Sequence, residues 1–356
     1  MLDRTFSQQR RSMARRESSL ASPSPQRVFE VGRQRKISGG LRLCATAFRK
    51  DLAVSNRTKA ARRLVYFTPL RYPGGKGKLA AYVKEIIRAN RLFDGKYVEP
   101  YAGGAAIALE LLLQEYVATV HINDLSQPVY SFWKAVLNET EELCRLVKNT
   151  RLTVASWDRQ KRIFANPDEH SYIELGFATF FLNRTNRSGI LKGGMIGGRD
   201  KSGRWKIDAR YNADELIFRI QSIAEMRRRI KLTRSDALAL LRFGLPRWDS
   251  KTLIYLDPPY VKQGRELYYD FYQPEDHADL ATFVRDNMDD RAWIVSYDNV
   301  DPIFDLYSGL RHVVYNVRYT AQENRVGKEV MFFSPKLEIP GLVGPIKQIR
   351  SVTETA

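Results

Sequence analysis

Short apolar runs rich in β-forming residues alternate with helix-like segments along most of the chain after residue 63. The predicted strands are the run that ends at Glu99, then Ala118–Ile122, Thr252–Leu256, Ala292–Ser296, Val313–Arg318 and Glu329–Phe333. Helical composition or spacing predicts helices at Ala106–Gln114 and Pro274–Arg285. This alternation predicts an α/β fold with a mostly parallel sheet that helices cover on both faces.

A carboxylate and an aromatic ring follow one of these strands in the motif Asp257-Pro258-Pro259-Tyr260. The two prolines end the strand and cannot donate main-chain hydrogen bonds, which leaves nearby carbonyl oxygens as acceptors. Asp257 and the Pro258 carbonyl can together accept both N–H bonds of one amine, and Tyr260 offers a stacking face to a flat base. Four residues alone fit a strand and a rigid turn equally well.

A glycine turn follows the first predicted strand in Glu99-Pro100-Tyr101-Ala102-Gly103-Gly104-Ala105 and leads into the helix at Ala106–Gln114. Glycines let a ligand approach the backbone closely at the helix end, where free N–H groups point outward. Asp124 follows the next strand, about 20 residues beyond the turn, where an acid often holds nucleoside hydroxyls. The pair predicts a site for a nucleoside-containing cofactor.

A second glycine segment, Tyr72-Pro73-Gly74-Gly75-Lys76, precedes this turn. It lacks the spacing and the Ser/Thr of a phosphate loop, so binding of a nucleoside triphosphate is not expected. Lys76 fits better as the partner of a carboxylate, and a solvated turn is the alternative reading.

Positive charge is concentrated in two parts of the chain. The net charge is +18, of which residues 1–63 contribute +12, with 16 Lys/Arg against 4 Asp/Glu. Residues 151–234 hold 18 Lys/Arg against 9 Asp/Glu, so this segment is the basic part of the remainder. A localised basic segment suits nucleic acid.

The basic segment contains side chains that can read base edges or bind phosphates, and we predict DNA contacts for Asn183, Arg184, Asn186, Arg187, Lys192 and Arg204. The glycine-rich stretches at 193–198 and 200–205 predict a β-hairpin that reaches into a groove. A solvated basic loop is the alternative for any one of these arginines. Arg227-Arg228-Arg229 follows apolar positions at helical spacing, which favours a helix surface over a base reader.

The motifs occur in the order Tyr72–Lys76, Glu99–Gly104, Asn123-Asp124, Asn183-Arg184 and Asp257–Tyr260, and the chain thereby resembles the Dam-like, D12 class of DNA adenine N6-methyltransferases between Phe67 and Pro335. The resemblance implies a Rossmann-like methyltransferase fold with a terminal antiparallel strand pair. It also implies S-adenosylmethionine as cofactor, bound by Tyr72, Lys76, Glu99, Pro100, Gly103, Asp124 and Asp236. Tyr72 stands where tryptophan is common, and Ala105 where a third glycine is frequent.

The resemblance assigns Asp257, Pro258 and Tyr260 to catalysis and adenine N6 of double-stranded DNA as the methyl acceptor, which must be flipped out of the stack. The basic segment then corresponds to the family's target-recognition region. We divide the chain into a basic tail at 1–63, a catalytic domain at 64–132 and 233–340, an inserted DNA target-recognition subdomain at 133–232 and a C-terminal tail at 341–356. Methylation of RNA and a catalytically inactive DNA-binding relative are the alternatives. The role is solitary or paired with a restriction endonuclease.

Residues 1–63 are Arg- and Ser-rich and without long hydrophobic periodicity, which predicts disorder. An organelle transit peptide and a start codon assigned too far upstream also fit this segment. Two cysteines are too few for a disulfide framework, so a reducing compartment is the default. With the family resemblance, we expect a cytoplasmic protein of bacterial or phage type. The apolar stretch Leu41–Phe48 is too short to span a membrane, and the four scattered histidines predict no metal site.

Overall fold

The computed structural model describes residues 67–71, 76–261, 272–319, 325–344 and 347–350. All of them belong to the second of the two units into which the chain divides, Leu64–Ala356. The predicted basic tail at 1–63 and Tyr72 lie outside the described residues.

Eight strands form one sheet in the described residues. They are β1 (Lys96–Glu99), β2 (Thr119–Asn123), β3 (Ile230–Thr233), β4 (Thr252–Leu256), β5 (Ala292–Asp298), β6 (His312–Tyr319), β7 (Arg325–Phe333) and β8 (Lys347–Arg350). Their order is β3-β2-β1-β4-β5-β7-β6-β8. The strands from β3 to β5 are parallel, β7 is antiparallel to β5, and β6 is antiparallel to both β7 and β8. The predicted α/β fold with a mostly parallel sheet and a terminal antiparallel pair is confirmed.

Helices connect the parallel strands. They are α1 (Ala80–Ala89), α2 (Ala106–Leu113), α3 (Gln127–Asn138), α4 (Thr140–Asn149), α5 (Val154–Ala165), α6 (Tyr172–Thr185), α7 (Ala213–Glu225), α8 (Ala237–Gly244), α9 (Pro274–Asn287) and α10 (Asp301–Leu306). Within the described part of the chain, no helix has both the length and the apolar character needed to cross a bilayer.

Both faces of the central strands are buried, and each face belongs to a different hydrophobic cluster. On β4, Leu253 and Tyr255 pack in the cluster that includes α1 to α3, whereas Ile254 and Leu256 pack in the cluster that includes α8 and α9. Alternate residues of a strand point to opposite faces, so a strand covered on both sides must be apolar throughout. This is why β4 is a continuous apolar run and why its predicted bounds agree with the structure.

The region between β2 and β3, residues 124–229, is helical in its regular parts and contains α3 to α7. Its interior continues the cluster beneath α1 and α2, with Trp133 and Phe180 fully buried. The predicted limits of the inserted subdomain fall within regular elements, since residue 133 lies in α3 and residue 232 lies in β3. A subdomain at 133–232 therefore stays a proposal whose limits cut across secondary structure.

The β-hairpin predicted from the glycines of this region is not present. Residues 193–205 form turns and bends apart from one isolated antiparallel bridge between Met195 and Asn186, and Gly197 and Gly198 have positive φ values of 85° and 76°. The Gly203 N–H donates to the Gly197 carbonyl at 3.0 Å, which closes the loop on itself. Glycine at positive φ permits a chain reversal, and here it produces a coiled turn without paired strands.

Candidate active site

Three of the four acidic positions singled out in the sequence converge at one edge of the sheet. Glu99 is the last residue of β1, while Asp124 and Asp257 each follow directly on β2 and β4. Since β1 pairs in parallel with both of these strands, the carboxyl ends of all three lie side by side. In an open parallel sheet this edge is where ligands bind.

Asp257 is held through one of its two carboxylate oxygens. Ser296 on β5 donates to Asp257 Oδ1 at 2.7 Å, and the Tyr255 hydroxyl lies 2.9 Å from Ser296 Oγ. Lys76 Nζ lies 3.2 Å from the same Oδ1. Both described contacts use Oδ1, so Oδ2 is the oxygen that an incoming N–H donor can reach.

Lys76 is shared between two carboxylates. Its ammonium lies 2.8 Å from Glu329 Oε2 and 3.2 Å from Asp257 Oδ1. Glu329 Oε1 accepts from the Tyr260 hydroxyl at 2.7 Å, and Oε2 accepts from the Tyr315 hydroxyl at 2.6 Å. We call these five side chains the Lys76 cluster. The predicted pairing of Lys76 with a carboxylate is thus present in the structure.

Charge and burial in this cluster act against each other. Burial favours the neutral amine, but Asp257 and Glu329 outweigh it and raise the pKa of Lys76 above its ordinary value. Burial raises the pKa of Asp257, and Glu329 raises it further against the opposing effect of Lys76. Two carboxylates surround a single ammonium, so the positive charge of Lys76 is too small to balance both of them.

Tyr260 is buried, and its hydroxyl is bonded to both Glu329 and Lys76. Because the ammonium bonds the hydroxyl, Nζ lies at the edge of the ring, 4.9 Å from the centroid, rather than over a face. The hydroxyl contacts therefore fix the ring by its edge. Pro258 lies between Asp257 and this ring and is also buried.

Asp124 organises the glycine turn at the end of β1. Its Oδ2 accepts from the Gly103 N–H at 2.8 Å, and its Oδ1 accepts from the Ser126 N–H at 3.0 Å. Trp133 Nε1 donates to the Gly103 carbonyl at 2.9 Å from the opposite side. Gly103 has a φ of 46°, and Ala105 also has a left-handed backbone, with a φ of 47°. Glycine adopts this conformation most easily, which explains why the family often has glycine at the position of Ala105.

Glu99 is almost fully buried and lies near enough to Asp257 and Asp124 to interact with both electrostatically. Its Oε2 has no hydrogen-bond partner among the described residues. Burial, followed by the nearby Asp257, raises the pKa of Glu99 well above its usual range. A buried, unsatisfied carboxyl group is costly, so this position calls for a positively charged or N–H-rich ligand.

Pro100 and Asp236 belong to two segments that Asn123 links. The Pro100 carbonyl accepts from Asn123 Nδ2 at 2.9 Å, and Asn123 also donates to the Ser235 carbonyl at 2.9 Å. Asp236 is exposed, and its Oδ1 caps α8 by accepting from the Ala239 N–H at 2.9 Å. Asn123 thus ties the β1 turn to the segment that carries Asp236.

The predicted DNA contacts of Asn183, Arg184 and Asn186 require correction, because all three are buried. Asn183 accepts from the Arg71 N–H at 2.7 Å and donates to the Arg71 and Gly189 carbonyls at 2.8 and 3.0 Å. Its amide is therefore occupied by backbone groups inside the protein.

Arg184 and Asn186 are occupied in the same way. Arg184 Nε donates to the Pro69 carbonyl at 2.7 Å. Burial, together with neighbouring arginines, lowers the pKa of Arg184 to about 9, which keeps the guanidinium charged at neutral pH. Asn186 accepts from Trp157 Nε1 at 2.7 Å and donates to two loop carbonyls, those of residues 190 and 191. These side chains hold the backbone and do not reach solvent.

Arg187, Lys192 and Arg204 are exposed, as a DNA contact requires. Arg204 lies against the ring of Trp205, with its guanidinium carbon 5.4 Å from the ring centroid. Trp205 is 61% exposed. A solvent-exposed tryptophan beside basic side chains is an additional DNA-facing candidate that the motif search did not single out.

Two curated proteins match about two thirds of this chain. A type II methyltransferase named M.MjaIII, from Methanocaldococcus jannaschii, is 23% identical over 263 residues, which are 67% of this chain and 87% of that protein. A type II methyltransferase named M.CviBI, from Paramecium bursaria Chlorella virus NC1A, is 24% identical over 250 residues, 66% of this chain and 85% of that protein.

Similar solved structures include an rRNA methyltransferase, aviRa, from Streptomyces viridochromogenes, at 13% identity and a TM-score of 0.34 over 79% of this chain and 95% of that one. That similarity is too low to bear on function. The family described as D12 class N6 adenine-specific DNA methyltransferase matches residues 72–321. The match contains every residue that we predicted for the cofactor, for DNA and for catalysis, and it covers more than half of the chain, which therefore belongs to this family of enzymes that methylate adenine in DNA.

Proposed function

We propose that this DNA adenine methyltransferase takes its methyl group from S-adenosylmethionine and transfers it to N6 of an adenine flipped out of double-stranded DNA. The observation that supports this most is the convergence of Glu99, Asp124 and Asp257 at the carboxyl edge of the sheet, beside the Lys76 ammonium. One edge thereby offers a cofactor turn and an amine acceptor as neighbours.

The residues at the turn fit this cofactor. The unsatisfied Glu99 Oε2 suits the cationic methionine part, and Asp124, which two backbone N–H groups fix at the turn, is an acid of the kind that binds ribose hydroxyls. We assign Asp236, which follows the Ser235 carbonyl bonded by Asn123, to the cofactor adenine, and the Gly103 turn to close approach of the ligand to the backbone. When bound, S-adenosylmethionine supplies an electrophilic methyl group on a sulfonium.

Asp257 prepares the nucleophile. The lone pair of adenine N6 is delocalised into the ring, so the enzyme must localise it and aim it at the methyl group. Asp257 Oδ2 accepts one N6 hydrogen while the Pro258 carbonyl accepts the other, which favours a pyramidal nitrogen. Positioning and stabilisation of the charge that develops on nitrogen together account for the acceleration.

Tyr260 receives the flipped base. Extrusion from the duplex costs on the order of a few kcal/mol, which stacking and polar contacts in the pocket offset. Since the Tyr260 hydroxyl is bonded at the ring edge, the ring is preoriented to stack on adenine through a face.

DNA binding is proposed for the exposed loop after α6, with Arg187, Lys192 and Arg204 contacting phosphates or base edges. Trp205 adds an aromatic surface next to Arg204. The two curated relatives are type II methyltransferases by name. This favours the modification role paired with a restriction endonuclease over a solitary role.

The proposal is tested by incubating the protein with methyl-labelled S-adenosylmethionine and double-stranded DNA and then digesting the DNA to nucleosides. We expect label in N6-methyldeoxyadenosine. Parallel reactions with single-stranded RNA and with protein are expected to remain unlabelled. Label confined to RNA or to 4-methylcytosine would overturn the substrate assignment, and sequencing of the modified positions would identify the recognised DNA word.

A further inference from the structure

Glu329 lies within the active site yet outside residues 72–321, the range that the family matches. It is a fully buried acid on β7, placed opposite Tyr315 of β6 and Asp298 of β5 in the sheet register. An ionisable side chain with no exposure is costly unless partners compensate it. The partners of Glu329 are therefore informative about its role.

Those partners connect the two halves of the reaction. Glu329 Oε2 lies 2.8 Å from Lys76, which belongs to the segment leading toward the cofactor turn. Glu329 Oε1 accepts from the hydroxyl of Tyr260, which belongs to the motif that receives the base. Tyr315 donates to Oε2 at 2.6 Å and orients the carboxylate from the next strand. One carboxylate thus spans both binding motifs.

Lys76 is closer to Glu329 than to Asp257, at 2.8 Å against 3.2 Å. A carboxylate whose negative charge is neutralised by a close ammonium is a weaker acceptor for a substrate N–H. Because Glu329 also binds the Lys76 ammonium, the negative charge of Asp257 is neutralised less. This matters because Asp257 Oδ1 already accepts from Ser296 as well.

We propose that Glu329 is a positioning residue for methyl transfer, which draws the Lys76 ammonium away from Asp257 and fixes the Tyr260 ring by its hydroxyl. It contacts neither methyl donor nor adenine and acts through Lys76 and Tyr260. This inference rests on the proposed role of Asp257 as the acceptor of the N6 hydrogen.

The charge of Glu329 also influences the pH at which Asp257 becomes protonated. Activity falls as pH decreases through the pKa of Asp257, because the protonated acid accepts poorly. Glu329 is one of the groups that raise this pKa, so its removal lowers the pKa and moves the acid limb to lower pH. The other ionisable groups coupled to Asp257 are Lys76, Glu99, Tyr97, Tyr255 and Tyr315.

The test compares Glu329→Gln with Glu329→Asp and with Glu338→Gln, which removes an exposed carboxylate nearby in the chain. Single-turnover methyl transfer to duplex DNA is measured as a function of pH, and S-adenosylmethionine affinity is measured separately by calorimetry. For Glu329→Gln we expect a rate at least about tenfold lower, affinity within about threefold of wild type, and an acid limb at lower pH. Glu329→Asp, which keeps the charge, should recover part of the rate and leave the acid limb near its wild-type position.

A wild-type rate with an unmoved acid limb in Glu329→Gln would overturn the proposal. Loss of S-adenosylmethionine affinity with an unchanged rate at saturation would also overturn it, since the role would then be cofactor binding. If Glu329→Gln does not fold, Glu329→Asp and Tyr315→Phe decide: full activity in both would contradict the positioning role. Full turnover by Asp257→Asn would instead refute the proposed function, so the two failures are distinguishable.

Discussion

Two regions of the molecule contain buried polar residues, and they use them differently. At the carboxyl edge of the sheet, Glu99 retains an oxygen without a described partner, and Asp257 is engaged through Oδ1. At the end of α6, the side-chain oxygen of Asn183 and both of its N–H bonds are hydrogen-bonded to backbone groups. We interpret the unsatisfied oxygen of Glu99 as a position for a ligand, and the full occupancy of the Asn183 side chain as structural support.

The largest effect is expected from Asp257→Asn, which tests the first region. The substitution keeps the shape but replaces an anionic acceptor with an amide, so we expect a loss of about 10²- to 10³-fold or more in the rate of methyl transfer. Single-turnover assays measure that rate. Affinity for S-adenosylmethionine should stay within about threefold, and a rate within twofold of wild type would remove Asp257 from the mechanism.

Asn183→Ala tests the second region. It removes three hydrogen bonds to Arg71 and Gly189 and leaves their backbone groups buried, so the free energy of unfolding should fall by about 2–4 kcal/mol. Urea denaturation measures this loss. Exposed Asn138 provides the matched control, whose change to alanine should cost less than about 1 kcal/mol. Unchanged stability with weakened DNA binding would restore Asn183 as a DNA reader.

Arg204→Ala tests whether an exposed residue of the basic segment contacts DNA. We expect DNA affinity to fall several-fold and the slope of log affinity against log salt to become shallower by about 1, without a change in stability. Fluorescence anisotropy at several salt concentrations measures both quantities. Arg285 on α9 is exposed as well and lies outside the basic segment, so Arg285→Ala should leave the slope unchanged. Equal effects from the two substitutions would argue against a localised DNA surface.

Ala105→Gly is expected to have the smallest effect. Ala105 has a φ of 47°, a conformation that costs an L-residue about 1–2 kcal/mol, but glycine also loses a buried methyl group and gains unfolded-state entropy. The net change in unfolding free energy should stay within about 1 kcal/mol, as measured by thermal or urea denaturation, with cofactor affinity retained. A loss of several kcal/mol would mean that the methyl group packs more tightly than its backbone strain suggests.

The sheet was largely predictable from sequence because burial on both faces makes a strand apolar throughout. The bounds of β4 agree with the prediction for this reason, and β1, β2, β5, β6 and β7 were found within a few residues. The two edge strands β3 and β8 were missed, since each has only four residues, and β3 contains an exposed lysine at position 231. A short edge strand carries too little periodic signal to be distinguished from a loop.

Side-chain roles were less predictable than strands. Asn183 and Asn186 have the same composition as base readers, and only their packing shows that they bond backbone groups. Glu329 was missed because it opens an apolar run and reads as a strand end. The available signal was its place directly before the apolar part of a strand, since Val330 and Met331, which follow it, are fully buried as well. An acid within such a stretch needs a partner inside the protein.

The bonds from Asn183 to both backbone groups of Arg71 have a consequence for how such enzymes diversify. They join the end of α6 to the chain just before Lys76, independently of the identity of any side chain at position 71. The exposed part of the loop, which includes Lys192 and Arg204, can therefore vary in sequence without touching these two bonds. Gly189 belongs to this joint, because its carbonyl accepts from Asn183 and a side chain there would meet the Arg71 carbonyl, so a substitution at Gly189 would disturb the chain next to Lys76.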